Sequence, residues 1–414
     1  MNHKEVFKNS TYQVLSRIVT SGAGFLITII IARSFGVLGY GDYTKITVFV
    51  GLFYLLLDFG LNAIFLQKKG KEINFRNLFY TRILLSILLL IAINLISIFL
   101  PFNKQFSLGF SQNVRQGITI FSFILIAQAI LLSSSAIFQK KLQYRFLTRS
   151  NIIGSLVSLI LILAFIYLSF PLNSILIALV LGAVVSAILS LIWSGQKILP
   201  LELNLSISKK LILESLPLGL MLVFNLIYFR IDIFLLSILR STTDVGIYGL
   251  SYKFFDFVIA LPLFLSNSLY PFFLASGKNP RKLFKITKIY FLIFLAISIL
   301  TSIVFWFTAP FLSLIKKEFV DSVLPLRILL LSLPFFFLTS LLQWILISQG
   351  KQKFLMLVYL FSAMANVTLN FIFIPSYSYI ASAIITGVSE VIIFIFLLIK
   401  IIALQKNIQI EKTI

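Results

Sequence analysis

The side chains able to do chemistry in this chain sit inside long apolar stretches, and their spacing is helical. Arg17, Ser21, Gly24 and Thr28 follow at i, i+4, i+7 and i+11, which puts a polar and small stripe on one helix face. Thr47, Gly51, Tyr54, Asp58 and Asn62 form a second stripe. Further along come Arg230 with Asp232, Lys253 with Asp256, Glu390 one turn after Thr386, and Ser362, Asn366 and Asn370 at four-residue spacing. A guanidinium offers forked donors matched to phosphate oxygens and keeps its charge at any working pH. A carboxylate withdrawn from water can instead exchange a proton or hold a cation.

The surroundings of these residues are lipid. The 414 residues are 59% hydrophobic and 12% charged, with a mean hydropathy of +1.05, too little polar surface to wrap a soluble globule of this size. Backbones in hydrocarbon must satisfy themselves as helices or closed barrels. Continuous apolar runs such as Ile83 to Leu100 and Val391 to Ile402, without alternation, predict helices. The first run begins after Lys8, carries Arg17 and lacks a small-residue cleavage site, so it is expected to be a span, not a signal peptide. Twelve spans are expected, near 12–32, 43–66, 78–100, 117–138, 147–169, 172–194, 213–239, 247–275, 287–309, 324–348, 354–374 and 379–402.

The net charge of +22 follows topology, so no nucleic-acid partner is expected. The N-terminus and every second loop hold 23 Lys and Arg, among them Lys68, Lys69, Lys140, Lys141, Lys209, Lys210, Arg281 and Lys282. The opposite side holds 9, including Arg33, Lys45, Arg240, Lys316, Lys317 and Arg327. This asymmetry predicts both termini in the cytoplasm. With no cysteine and a single histidine, His3, neither disulfides nor a zinc site is expected. No GxxxxGK[ST] phosphate loop is present, so ATP is not the expected direct energy source, and no cofactor is expected.

An internal repeat appears at an offset near 205 residues. Ala32-Arg33-Ser34 followed by Gly41 and Tyr43 is matched by Leu239-Arg240-Ser241 followed by Gly246 and Tyr248. Gln139-Lys140-Lys141 through Phe146 is echoed by Gln349 to Phe354, each followed by two spans around a proline-bearing turn, Phe170-Pro171 or Ile374-Pro375. Duplication of a six-helix unit predicts two lobes, 1–200 and 201–414, related by a pseudo-two-fold axis along the membrane normal, with a cavity between them. The expected fold class is therefore all-α integral membrane.

Gly36-Val37-Leu38-Gly39-Tyr40-Gly41-Asp42-Tyr43 resembles a loop of the Wzx-type polysaccharide flippases of the multidrug/oligosaccharidyl-lipid/polysaccharide (MOP) exporter superfamily. Pro217-Leu218-Gly219, Tyr228 to Asp232 and Val245 to Tyr248 are similar to its seventh and eighth helices, and Asn366 to Pro375 to its eleventh. The resemblance covers nearly the whole chain and implies a fold like that of the MATE and MurJ transporters. It also implies movement of undecaprenyl-diphosphate-linked oligosaccharide, such as an O-antigen repeat unit, from the cytoplasmic to the outer leaflet of a bacterial inner membrane. The polymerase and chain-length regulator of the same pathway would be its partners, and the chain would not be an enzyme.

On this basis Arg17 and Arg230 are the expected diphosphate ligands, with Ser21, Thr28, Tyr54 and Asn62 beside them. Arg17 can also snorkel to cytoplasmic headgroups. Asp58, Glu390 and Asp256 are candidate sites for a coupling H+ or Na+. Asp58 can equally serve as partner to an arginine, and Asp256 as partner to Lys253 within its own helix. Arg230 and Asp232, two residues apart, face opposite ways and so do not neutralise each other. Ser362, Asn366 and Asn370 suit interhelical bonding, and Pro217, Pro262 and Pro334 local bends. Two rivals stand beside the flippase. A glycan polymerase or glycosyltransferase needs larger external loops than 101–116 and 310–323, and a drug or cation antiporter needs an anionic cavity.

Overall fold

The structure, a computed structural model, describes residues 3–67, 74–105, 108–200, 204–276 and 280–410. The side chains of 3–19, 55, 67, 217, 221, 263–264, 267–268, 270–272, 274–276, 280–285 and 405–410 lie outside that description. Among the described residues the chain's secondary structure is helical apart from one minimal hairpin. Its helices are α1 (His3–Asp58), α2 (Leu61–Gln67), α3 (Phe75–Phe99), α4 (Gln112–Ser122), α5 (Ile124–Lys140), α6 (Tyr144–Tyr167), α7 (Leu172–Ser194), α8 (Leu205–Leu239), α9 (Thr242–Ser276), α10 (Pro280–Thr308), α11 (Leu312–Ile315), α12 (Val323–Ser348) and α13 (Gln352–Ile410). Strands β1 (Phe102–Asn103) and β2 (Leu108–Gly109) pair antiparallel between α3 and α4.

Ten stretches among the described residues are long and apolar enough to cross a membrane. Two of them, Thr20–Leu66 with 47 residues and Gln352–Leu404 with 53, are about twice as long as one crossing requires at 1.5 Å per residue. Each is broken near its middle, and Thr20–Leu66 a second time at Phe59–Gly60, close to its end. α1 turns at Gly36 (φ 68°, ψ −171°) and α13 at Ser378 (φ 50°, ψ −138°), so each supplies two spans and the total is twelve. The loop expected over 33–42 is therefore reduced to a single residue, and glycine is the residue that reaches this backbone conformation without a Cβ clash. The second proline-bearing turn is displaced: Pro375 lies inside the helix and the break falls three residues later, at Ser378. The first is as expected, with Pro171 as N-cap of α7.

By packing, the chain forms two compact units, Met1–Leu226 and Ile227–Ile414, whose boundary falls inside the continuous helix α8. In the first unit, α6 and α7 meet at a reciprocal glycine contact. A Cβ on Gly154 would strike Ser186 and the Gly182 carbonyl, and one on Gly182 would strike Ser158 and the Gly154 carbonyl. Ser186 Oγ completes the contact by donating to Ser150 O at 3.1 Å. Where lipid offers no hydrophobic drive, close backbone approach through small residues holds helices together. α8 opens on this unit, with Leu211 in a cluster with Leu61, Phe65, Phe75, Leu78 and Ala136. Thr81 and Ser208 share a 2.8 Å hydroxyl bond.

In the second unit α12 is the central helix, packed by α9, α10 and α13. Its core is aromatic: Phe255 stands edge-on to Phe336, and Phe229 tilts against the same ring. Ser322 and Ser251 tie α9 to the start of α12, Ser251 donating to Ser322 O at 2.7 Å and Ser322 to Ile247 O at 2.9 Å.

Candidate functional site

The first polar cluster is organised by Arg82 on α3, whose side chain is wholly buried. α1 ends at Asp58 because Phe59 (φ 38°) and Gly60 (φ 74°) turn the chain before α2. That break leaves carbonyls without intrahelical donors. Arg82 supplies one, its Nε donating to Leu57 O at 3.0 Å. Its Nη1 donates to Ser133 Oγ at 3.2 Å and its Nη2 to Asn62 Oδ1 at 2.9 Å. Asp58 stands 3.7 Å from Nη2, with its own side chain 35% exposed. Asn62 donates onward to Leu132 O and Ser135 Oγ, and Tyr54 to Gln128 Oε1 at 3.2 Å.

The sequence stripe Tyr54, Asp58 and Asn62 is thus brought together, around Arg82, an arginine inside the third expected span that the sequence analysis did not single out. The available signal was that an arginine at bilayer depth demands partners, and Asp58 with Asn62 is the nearest acid and amide pair. From the other stripe, Thr28 is buried and donates to Gly24 O of its own helix at 2.9 Å, while Ser21 is exposed. Arg17 lies on α1, but its side chain is outside the described residues, as is that of Pro217.

The second cluster lies in the other unit, where α8 and the second arm of α13 present matched i, i+4 pairs. Tyr228 donates to Glu390 Oε2 at 2.6 Å. One turn on, Asp232 Oδ2 accepts from Thr386 Oγ1 at 3.2 Å and from Tyr248 Oη of α9 at 2.6 Å, while Asp232 Oδ1 takes the Ile233 amide at 2.7 Å. Both carboxyl groups are buried, Asp232 1% and Glu390 2% exposed. Among the described residues no cation pairs with Glu390, which is held by a hydroxyl. Asn366 and Asn370 form a ladder on the first arm of α13, Asn370 donating to Asn366 and Asn366 to Ser389 Oγ on the second arm. Ser362 is buried one turn before Asn366.

Arg230 faces away from this pair of acids. Its Nη2 donates to Asp256 Oδ2 of α9 at 2.8 Å, and its guanidinium lies 5.2 Å from the ring centre of Tyr252. Tyr252 is itself fixed by donating to Phe229 O. The ion pair expected between Lys253 and Asp256 is therefore corrected. Asp256 is taken by Arg230 from the neighbouring helix, because α8 packs against the face of α9 that carries it, and Lys253 shares only the field of that carboxylate. The Arg230 side chain keeps 34% exposure. Among the described residues no group of three or more His, Cys, Asp and Glu could hold a metal ion.

Comparison with known proteins places this arrangement. The family model described as polysaccharide biosynthesis protein matches residues 6–276. The chain belongs to that family. The MatE family model matches residues 217–372 as well. Among solved structures, this polysaccharide biosynthesis family member is similar to the lipid II flippase MurJ in an inward closed conformation. The TM-score is 0.74 at 18% identity, over 95% of this chain and 87% of the other. It is similar to an inward-facing multidrug resistance MATE transporter of the MOP superfamily, with a TM-score of 0.74 and 16% identity over 94% and 96% of the two chains. An outward-facing MATE transporter of that superfamily gives 0.63 at 15% identity over 97% and 96%. No curated protein matches by sequence. The fold is the one these MOP superfamily structures share, and the chain is a multi-pass membrane protein by its apolar helices.

Proposed function

We propose that this family member is a Wzx-type flippase, moving undecaprenyl-diphosphate-linked oligosaccharide from the cytoplasmic to the outer leaflet of a bacterial inner membrane by alternating access. The observation that carries the reading is Arg230, a membrane-span guanidinium left 34% exposed while its charge is balanced by Asp256. A fixed cation at that depth, already compensated, can accept a passing diphosphate in exchange for its carboxylate partner. The match to a polysaccharide biosynthesis family and the likeness of fold to a lipid II flippase support a lipid-linked glycan as the cargo. Arg17 is the second proposed diphosphate ligand, with Ser21, Thr28, Tyr54 and Asn62 proposed along the same route. The polyprenyl tail stays in lipid and only the headgroup crosses.

Outward movement of a diphosphate runs with an inside-negative potential, which contributes about 2.3 kcal/mol per uncompensated charge per 100 mV. Cation exchange is then an addition to the drive, and Glu390 is its proposed seat, since its buried carboxyl is held by the Tyr228 hydroxyl and by no described cation. The deciding experiment reconstitutes the full chain in vesicles with a labelled lipid-linked oligosaccharide and compares it with Arg17→Ala and Arg230→Ala. Flipping should fall in both variants, and wild-type rates in both would remove the diphosphate assignment. The MatE match over 217–372 favours a second reading, drug or cation extrusion. A susceptibility panel on a deletion strain separates the two, because a flippase leaves drug tolerance unchanged.

A further inference from the structure

α10 and α12 of the second unit enclose a groove of about 300 Å³, lined by Ile299, Ser302, Ile303, Trp306, Leu331 and Pro334 among others. Its outer walls, Ile303 at 50% and Leu331 at 65% exposed, belong to helices that the sequence assigns to the bilayer, so acyl chains are what meets them. The floor has a specific origin. Pro334 has no N–H to give to Leu330 O one turn earlier, and Ser302 of α10 donates to that carbonyl instead, at 3.1 Å. The two helices are thus pinned together at the bottom of the groove, with no polar group left facing lipid there.

One end of the groove is charged. Arg327 on α12 lies over the ring of Trp306, 5.1 Å from its centre, and Trp306 is a wall of the groove. The Arg327 Nε–H is buried and has no hydrogen-bond acceptor. Leu330, Leu331 and Pro334 follow Arg327 by one and two turns, so the apolar trough extends about 10 Å below the guanidinium. A guanidinium stacked on one wall of an apolar groove is complementary to a lipid with an anionic headgroup.

We propose that this groove is a binding site for an anionic phospholipid of the leaflet in which α12 begins, the outer one on the charge-derived topology. One acyl chain lies between Ile303 and Leu331, and the phosphate engages the Arg327 fork above Trp306. The site is separate from Arg230 and Glu390, and it does not depend on what the protein transports. Its role is to hold α10 and α12 against each other from the lipid side.

The test uses the full chain purified in detergent and exposed to phosphatidylglycerol and phosphatidylcholine, with retention read by native mass spectrometry. A phosphatidylglycerol carrying a mid-chain photoreactive group locates the contact in the unmodified protein. Crosslinks should fall within Ile299–Phe307 and Leu330–Pro334. Arg327→Gln should lower phosphatidylglycerol retention roughly tenfold, the scale of one lost charge-assisted contact, and leave phosphatidylcholine unchanged. Leu331→Trp, on the lipid-facing wall, should reduce retention of both by filling the trough. Crosslinks confined to other helices, equal retention by Arg327→Gln, or displacement of phosphatidylglycerol by an equal amount of polyprenyl phosphate would each overturn the proposal.

Discussion

Arg82 donates to the carbonyl of Leu57 at 3.0 Å, one residue before the end of α1. The second unit repeats the device, Arg240 donating to Pro375 O at 3.1 Å just ahead of the break at Ser378. In both places a guanidinium meets the negative end of an interrupted helix, where a cation is favoured and the freed carbonyl needs a donor. Charge inside this protein is thus partly architectural: at both interruptions an arginine supplies a donor to a freed carbonyl, Arg82 wholly buried and Arg240 35% exposed. Arg240 also keeps Asp244 at 3.0 Å, whereas Arg82 has its closest contacts with neutral groups and holds Asp58 only at 3.7 Å.

Replacing Arg82 with Met should therefore be among the most damaging single changes. It strips donors from Leu57 O, Ser133 and Asn62 at once and leaves Asp58 without its counter-charge. Removing one partner of a buried ionic group costs about 3–5 kcal/mol, and the exposure of Asp58 places the expected loss near the lower bound. Thermal unfolding in nanodiscs measures it. Asp58→Asn should cost much less, since the neutral contacts of Arg82 survive; equal losses in the two variants would mean that the ion pair, not the capping, dominates.

Gly154→Ala and Gly182→Ala should each destabilise the first unit, because the added methyl meets a backbone carbonyl and a serine across the α6–α7 contact with no flexible group to yield. Overpacking of this kind costs about 1–3 kcal/mol. The double variant should be less than additive, since the first substitution already forces the helices apart. A cycle of the four proteins by thermal unfolding reads the coupling, and full additivity would place the two contacts in separate environments.

These glycines show how unevenly the sequence discloses the molecule. Hydropathy reveals the crossings because lipid permits little but helices, and the twelve spans follow from it. It does not reveal that 33–42 collapses to a break at Gly36 or that the second turn sits at Ser378 and not Pro375, since a helix break in a packed bundle is set by neighbours. Arg230 and Asp232 are legible as turned away from each other from spacing alone. Their partners, Asp256 in one case and Tyr248 with Thr386 in the other, come from tertiary contacts, and so does the release of Asp256 from Lys253. The role of Arg82 is not legible in the sequence, because Asp58 and Asn62 approach it across a helix break.

Glu390→Gln tests cation exchange. The amide keeps the size of the side chain and can still accept from Tyr228, so folding should change little while the exchangeable charge is gone. Flipping in vesicles under an imposed H+ or Na+ gradient should lose its gradient dependence, and flipping driven by membrane potential alone should persist. Tyr228→Phe should weaken the gradient response without abolishing it, since the carboxyl remains. A variant Glu390→Gln that responds to the gradient as the wild type does would move the coupling acid elsewhere, with Asp58 and Asp256 the next to test.

Asp256→Asn separates the anion-binding role of Arg230 from a purely structural one. If Arg230 serves to bind a diphosphate, neutralising its partner leaves a 34%-exposed guanidinium with less competition, and the affinity for a soluble diphosphate headgroup analogue should rise. The gain should be modest, a few-fold, because water and Tyr252 still screen a partly exposed pair. Maximal flipping should fall at the same time, since a headgroup held more tightly on entry is released more slowly. Arg230→Lys should keep a positive charge but lose the fork and the stacking on Tyr252, weakening the analogue roughly tenfold. Isothermal titration with the purified full chain gives the binding arm and vesicle flipping the transport arm. Were Arg230 only a structural tie between α8 and α9, Asp256→Asn would lower stability and leave analogue binding where it was.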